Sequence, residues 1–376
     1  MNLYWARPFT HKPATQRYLA SANDNVADIV CAEIAALKFA QRAWGRISCT
    51  CAPFGYLLKY SLLSLLLTWF ALGQAWGKGA TLVVAQDGSG QYRTVQEAVD
   101  AAPTNSVTPV LIIIRPGVYR EKLLVPATKP NLVLRGEDRD HTVLTFDDHS
   151  GKGTINTNTS HSVLIEGAGF GAENLTFQNT AGRTAGQAVA LHVAADRCYF
   201  RNCRILGDQD TLFLAKNHSR QYFLRCFIEG TTDFIFGSST AVFDHCTIHS
   251  KKNSHITAAA TPPDQAYGFV FRSCRLTADT TLATDVSLGR PWQPYARVTY
   301  LRTRMGSHIR ATGWDNWKKP ESEKTVRYEE YDSSGPGAKM AQRVAWSRQL
   351  TAQQARQYTL KRVLAAPEPW LPKLPH

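Results

Sequence analysis

One spacing governs the second half of this chain. An aromatic residue is followed three positions later by a cysteine or threonine, and two after that by an aliphatic residue or methionine. The copies are Phe200/Cys203/Ile205, Phe223/Cys226/Ile228, Phe243/Cys246/Ile248, Phe271/Cys274/Leu276 and Tyr300/Thr303/Met305. Phe170/Asn174 is an earlier, imperfect copy, offset by four and so out of register by one. The aromatics stand 30, 23, 20, 28 and 29 residues apart. A unit of this size cannot enclose a core of its own, so successive units must stack.

The material between the repeats is made of short strands. TLVV (81 to 84), PVLIII (109 to 114), NLVLRG (131 to 136), TVLTF (142 to 146) and SVLIEG (162 to 167) are rich in β-branched and aliphatic residues and separated by Gly, Asn, Asp and Pro. With no LxxLxL signature and no paired helices, the repeat predicts an all-β protein, a right-handed single-stranded parallel β-helix. One helix is expected at 94 to 101, where Thr94 opens TVQEAVDA and Glu97 stands three residues on, the pattern of a capping box. Another is expected from Thr351, in TAQQARQYT. These assign a short N-terminal helix cap and a partly helical tail, with residues 1–77 as a leader, 78–335 as the β-helix and 336–376 as the tail. Caps at both ends would leave no open strand edge, which favours a monomer.

The same phase explains the cysteines. Cys203, Cys226, Cys246 and Cys274 should stack inward at the strand spacing of about 4.8 Å, as a ladder of free thiols acting as small apolar residues. Disulfides are the alternative, because that separation falls in bonding range. No CxxC or clustered histidine accompanies them, so no metal or cofactor is expected.

Charge narrows the partners. The first 77 residues hold seven Lys/Arg and three Asp/Glu of the chain's 43 and 30, so a formal +9 of the total +13 lies beyond them. A basic surface suits a polyanion: nucleic acid, anionic membrane or acidic polysaccharide. It also serves simply to keep a protein soluble. SLLSLLLTWFALGQAWG at 61 to 77, behind Lys59, has the cationic flank, short apolar run and small-residue exit of a secretory signal, placed unusually far from Met1. Secretion with cleavage near residues 75 to 80 is expected, and no membrane span in the mature form. A single-pass anchor is the alternative.

Polar residues follow the repeat as well. Gln187 and Asp210 each precede a repeat aromatic by thirteen residues, and Asp233 and Arg290 by ten. On a solenoid they share an azimuth and converge on one exterior groove. Ala258-Ala259-Ala260 falls at that phase on the intervening coil and leaves room for Arg290 to reach Asp233. An isolated aspartate in a turn is usually structural, and Asp208 and Asp285 are read so. In the convergent set, Asp233 beside Arg290 should stay ionised and able to attack an electrophile. Asp210, without that partner, suits proton transfer. Gln187 and Gln209 supply neutral donors for an oxyanion.

The segments GVYREKL (117 to 123), NLTFQNTAG (174 to 182), QAVAL (187 to 191), GDQDTLF (207 to 213), GTTDFIFG (230 to 237), ITAAATPPDQAYGFVF (256 to 271), LGRPWQPYARV (288 to 298) and GSHIRATGWDNW (306 to 317) resemble the pectin methylesterases, particularly the bacterial ones. The resemblance implies hydrolysis of the C6 methyl ester of galacturonate in pectin (homogalacturonan) without metal or cofactor, and hence an acidic polysaccharide rather than nucleic acid as partner. It implies Asp210 as general acid and base, Asp233 as nucleophile, Gln187 and Gln209 in the anion hole and Arg290 holding the nucleophile. Trp292, Thr157, Phe213 and Phe236, with Arg290 and Gln187, would contact the sugar chain. Phe213 stands where the family usually has tyrosine, His192 follows QAVAL where arginine or tyrosine is common, and KNHS at 216 to 219 lengthens a turn. Other readings of the residues alone are an esterase or thioesterase acting on a different ester, a β-helix glycoside hydrolase or lyase, and a non-catalytic polysaccharide-binding solenoid.

Overall fold

The computed structural model describes residues 81–372, so the leader and its signal-like segment lie outside the described residues. Among the described residues, 26 strands form three sheets of 11, 7 and 8, and every pairing is parallel. Neighbours within a sheet come from successive laps of the chain, as Arg220–Leu224 between Cys198–Arg201 and Thr240–Asp244 illustrates. The architecture is a right-handed parallel β-helix, as the repeat predicts.

The repeat's three positions are its interior. Phe200, Phe223, Phe243, Phe271 and Tyr300 form one continuous stack, with successive ring centroids 4.6, 4.9, 4.5 and 4.4 Å apart. Offset stacking of this kind adds to the burial of each ring. The cysteines run beside it as free, buried thiols. Three of them reach the preceding coil: Cys226 Sγ donates to Phe200 O at 3.4 Å, Cys246 Sγ to Phe223 O at 3.4 Å and Cys274 Sγ to Phe243 O at 3.3 Å. The earliest copy was misaligned in the sequence. Phe200 pairs in register with Ala172 and Ile205 with Phe177, so Ala172, Leu175 and Phe177 hold the repeat's three places. Phe170 fills the space above Ala172 from two residues earlier, 6.0 Å from the Phe200 ring.

What turns the chain from the first sheet into the third is one residue of left-handed backbone. Asn174, Asn202, Arg225, His245, Ser273 and Arg302 all have φ between 49° and 54°. Asparagine tolerates this conformation best, and Asn202 Nδ2 donates to Asn174 Oδ1 at 2.8 Å, tying two such corners together. The bend aims the next residue, Cys203 or its equivalent, into the core.

The helix Val95–Ala101 closes the N-terminal end, burying Val95, Ala98 and Val99, with the expected capping box of Thr94 and Glu97. The tail divides, contrary to a simple end cap. Trp346 packs with Tyr328 at the last coil, where Arg343 pairs with the fully buried Glu330 at 2.8 Å. The later part, with the short helices Ala352–Ala355 and Leu360–Val363, instead doubles back over the outer face of the first sheet. Tyr358, Val363 and Leu364 pack there on Tyr199, Tyr222, Val242, Val270 and Leu301. That apolar outer row on the sheet is the reason the tail lies along the side. Among the described residues no helix is long and apolar enough to cross a membrane.

Candidate active site

The second sheet carries the site on its outer face. Leu212–Leu214, Ile235–Gly237, His255–Ala259 and Ser287–Pro291 are successive rungs. Phe213, Phe236, Ala258 and Arg290 stand in one register row across them. Asp210 and Asp233 each lie three residues before a phenylalanine of that row, on neighbouring rungs. Both aspartates adopt left-handed backbone, φ 63° and 51°. Their amides are held by the next coil, Asp210 N to Thr232 O at 3.0 Å and Asp233 N to His255 O at 2.8 Å. Thr211 and Phe234, one residue on, are fully buried, which leaves the carboxyls facing outward. Gly230 permits the tight arc before Asp233: a Cβ there would stand 2.2 Å from Phe234 Cβ and 2.6 Å from Asp208 O.

Arg290 engages one carboxyl only. Its Nε donates to Asp233 Oδ1 at 2.9 Å and its Nη2 to Asp233 Oδ2 at 2.7 Å. Ala258 lies between the Phe236 and Arg290 rungs and gives the guanidinium room to reach back. The row thus corrects the expected azimuth, because Arg290 is level with Phe236 and Ala258 rather than with Asp233. Ala259 points into the core instead.

Electrostatics separates the two acids. Burial, and then the charge of Asp233, raise Asp210 to about 8 against a weaker opposing pull from Arg290. Burial raises Asp233 too, while the two hydrogen bonds and the charge of Arg290 pull it back and Asp315 adds to the rise. The arrangement therefore favours the charge on Asp233, beside Arg290, and the proton on Asp210. His255 stays neutral, lowered to about 4 first by burial and then by Arg290.

A cleft of about 590 Å³ opens over these groups, and Gln187, Gln209, Asp210, Asp233, Arg290 and Trp292 line it together. Gln187 and Gln209 are bridged across adjacent coils, and Ala188 N donates to Gln209 O at 3.0 Å. Gln187 is thus level with Gln209 rather than with Asp210. Neither glutamine side chain has a hydrogen-bond partner among the described residues, so both amides are available to a ligand. Thr157, on the short 3₁₀ turn Thr157–Thr159, and Phe236 also stand in its walls. Trp292 is 39% exposed, as a platform would be. Phe213 does not line the cleft: it lies buried between His192, 4.4 Å away, and Phe236, 4.3 Å away. Asp208 and Asp285 are structural as expected, paired with Lys251 at 3.0 Å and Arg310 at 3.3 Å.

Asn156, Asn158 and Trp317 of the cleft, and His255 behind it, had no role in the sequence reading. Trp317 lines the cleft and covers Arg290, whose Cζ is 3.6 Å from the ring centroid. His255 supplies the carbonyl that anchors Asp233. Trp317 sits in the GWDNW segment 27 residues after Arg290, close to one coil length, which is the signal that could have placed it.

A family model described as Pectinesterase matches residues 81–367. The chain belongs to the pectinesterase family. This pectinesterase is 43% identical over 282 residues to Pectinesterase 31 of Arabidopsis thaliana, an alignment covering 72% of this chain and 88% of that one. The solved pectin methylesterase from carrot superposes on it with a TM-score of 0.73 at 38% identity, covering 76% of this chain and 93% of that chain. A pectin methylesterase in complex with a hexasaccharide superposes with a TM-score of 0.68 at 31% identity, covering 80% and 100%. The likeness of this pectinesterase is therefore not confined to bacterial members.

Proposed function

We propose that this enzyme hydrolyses the C6 methyl esters of galacturonate in pectin, releasing methanol and leaving pectate. The observation that carries the reading is the asymmetry of two adjacent acids, one clamped by Arg290 and one raised to about 8. A carboxylate and a carboxylic acid on neighbouring rungs can act as nucleophile and proton donor toward one ester.

In the first step an Asp233 oxygen attacks the ester carbonyl carbon, and the electron pair moves onto the carbonyl oxygen. The amides of Gln187 and Gln209 donate to that oxyanion. As it collapses, the bond to the methoxy oxygen breaks, and Asp210 gives it a proton, so methanol leaves. The sugar is then held as a mixed anhydride on Asp233. In the second step Asp210, now a carboxylate, takes a proton from water; the hydroxide adds to the sugar acyl carbon and Asp233 departs as carboxylate. Both aspartates return to their starting states. Trp292, Phe236 and Thr157 hold the polymer, and Phe213 supports Phe236 from beneath.

Secretion follows from the same reading, since the substrate is a wall polymer, with the 61 to 77 segment acting as a signal removed near residues 75 to 80. N-terminal sequencing of the exported protein checks this, and a mature form retaining residues 1 to 60 would contradict it.

Methanol release from highly methylated pectin tests the activity. It is expected from the parent protein and lost in Asp233→Asn. A folded parent that releases none would redirect the reading to another ester on the same site.

A further inference from the structure

The third sheet carries a second polar feature, on a different face from the cleft. Arg204, Phe227, Thr247, Arg275 and Arg304 stand in one register row across five successive rungs. At roughly 4.8 Å per rung the row runs about 19 Å along the helix axis. Arg225 stands at a corner beside it. Two clefts flank the row, one of about 400 Å³ lined by Arg204, Arg225 and Thr247, the other of about 540 Å³ lined by Arg275, Arg304 and His308.

Of the charges on this ridge only that of Arg204 is met locally. Asp140 pairs with Arg139 at 3.2 Å and with Arg204 at 3.1 Å. Arg225, Arg275 and Arg304 are exposed and have no acidic partner among the described residues. Like charges held one or two rungs apart repel, and a protein gains nothing in stability from such a row. His308, 6% exposed, lines the second cleft with its Nε2 unpartnered. Thr277, Thr280 and Ser307 add hydroxyls to the same wall. The surface is complementary to an extended chain bearing a regular series of negative charges.

We propose that this ridge binds de-esterified polygalacturonate, the product of the cleft, lying along the helix axis. The choice of occupant rests on the esterase reading, because each turnover unmasks one carboxylate on the polymer. A chain with a carboxylate on each sugar can meet Arg275 and Arg304 at one end of the row and Arg225 at the corner nearer the other, whereas fully methylated pectin has nothing to pair with the arginines. The ridge would keep the enzyme on regions it has already processed while the cleft, on another sheet, remains open to the next ester.

The test compares the full-length protein with a variant carrying Arg225→Gln, Arg275→Gln and Arg304→Gln, and with Thr247→Glu, which places a negative charge mid-row. Affinity for fully de-esterified polygalacturonate is read by affinity electrophoresis at low ionic strength. The Kd is expected to rise about tenfold in each variant, while methanol release from a short methylated oligogalacturonate, long enough only to fill the cleft, stays at the parent level. An unchanged Kd in both folded variants would overturn the proposal. So would complete loss of binding in Trp292→Ala, which would put all binding in the cleft, or parent binding to duplex DNA as tight as to polygalacturonate, which would mark an indiscriminate basic surface. Absence of methanol from the parent on the short substrate would count against the esterase reading alone, leaving the binding comparison to be read separately.

Discussion

Trp317 covers the guanidinium of Arg290, with the ring centroid 3.6 Å from Cζ, while both Nε and Nη2 of that arginine are engaged with Asp233. The indole comes from the coil that follows Arg290. It shields the ion pair from water and leaves the guanidinium one orientation. Trp317→Ala should lower kcat by about tenfold with a smaller change in thermal stability, and Trp317→Phe should recover most of the loss. Equal kcat in Trp317→Ala and the parent on methylated oligogalacturonate would show that the stack does not position Arg290.

Arg290→Lys keeps the charge and loses the two-pronged contact. Because the hydrogen bonds of Arg290 pull Asp233 downward, their loss raises Asp233, so the acidic limb of kcat/KM should move to higher pH. Activity at neutral pH should fall by roughly two orders of magnitude, the scale of losing a positioned charged contact. A pH–rate profile whose acidic limb does not move would separate Arg290 from the ionisation of Asp233.

Asp210 sets the other limb. In the proposed mechanism it gives its proton to methanol, and it is raised to about 8, so kcat/KM should decline as pH rises through about 8. The same group makes the fold pH-dependent. Its folded value lies above the unfolded value of about 3.9, so the native state holds a proton that the unfolded state has lost between those limits. Stability therefore falls as pH rises from about 4 to about 8, by on the order of 5 kcal/mol for the full interval. Asp210→Asn, which never ionises, should be inactive and more stable than the parent, with the advantage growing across that window. Melting temperatures followed against pH provide the check, and a constant difference between the two proteins would contradict the assignment.

Ala258 and Ala259 should respond oppositely to enlargement. Ala258→Leu fills the space through which Arg290 reaches Asp233, so activity should drop at least tenfold with stability nearly kept. Ala259 is fully buried in the core, so Ala259→Leu should cost about 1–3 kcal/mol by overpacking. Measuring both variants for kcat and Tm decides it: a fully active Ala258→Leu would remove the clearance argument.

The fold was legible because an aromatic recurs at one phase on five successive rungs: Phe200, Phe223, Phe243, Phe271 and Tyr300 could be aligned by counting alone. That Asp210, Asp233 and Arg290 share one cleft was legible from their spacing to the repeat aromatics and from the family resemblance. Register within the site was less so, since the arcs from the second sheet back to the aromatics differ in length: residues 215–219 follow Leu212–Leu214, but only 238–239 follow Ile235–Gly237. Counting back from the aromatics therefore set Gln187 level with Asp210, and Arg290 with Asp233. Phe170 misled for the same reason, standing two residues before its true rung partner position, Ala172. The helix Leu360–Val363 has only four residues and is fixed by the packing of Val363 and Leu364 on the first sheet, a tertiary cause with no periodicity to announce it.

The central claim is that Asp233 carries the acyl group. An aryl ester of a galacturonate oligomer needs no protonated leaving group, so Asp210→Ala should still be acylated by it and then fail to activate water. Intact-mass and peptide analysis after rapid acid quench should find the galacturonyl adduct on the peptide containing Asp233, and no adduct in Asp210→Ala/Asp233→Asn. An adduct on another residue, or aryl ester turnover with no adduct at any time, would contradict the mechanism.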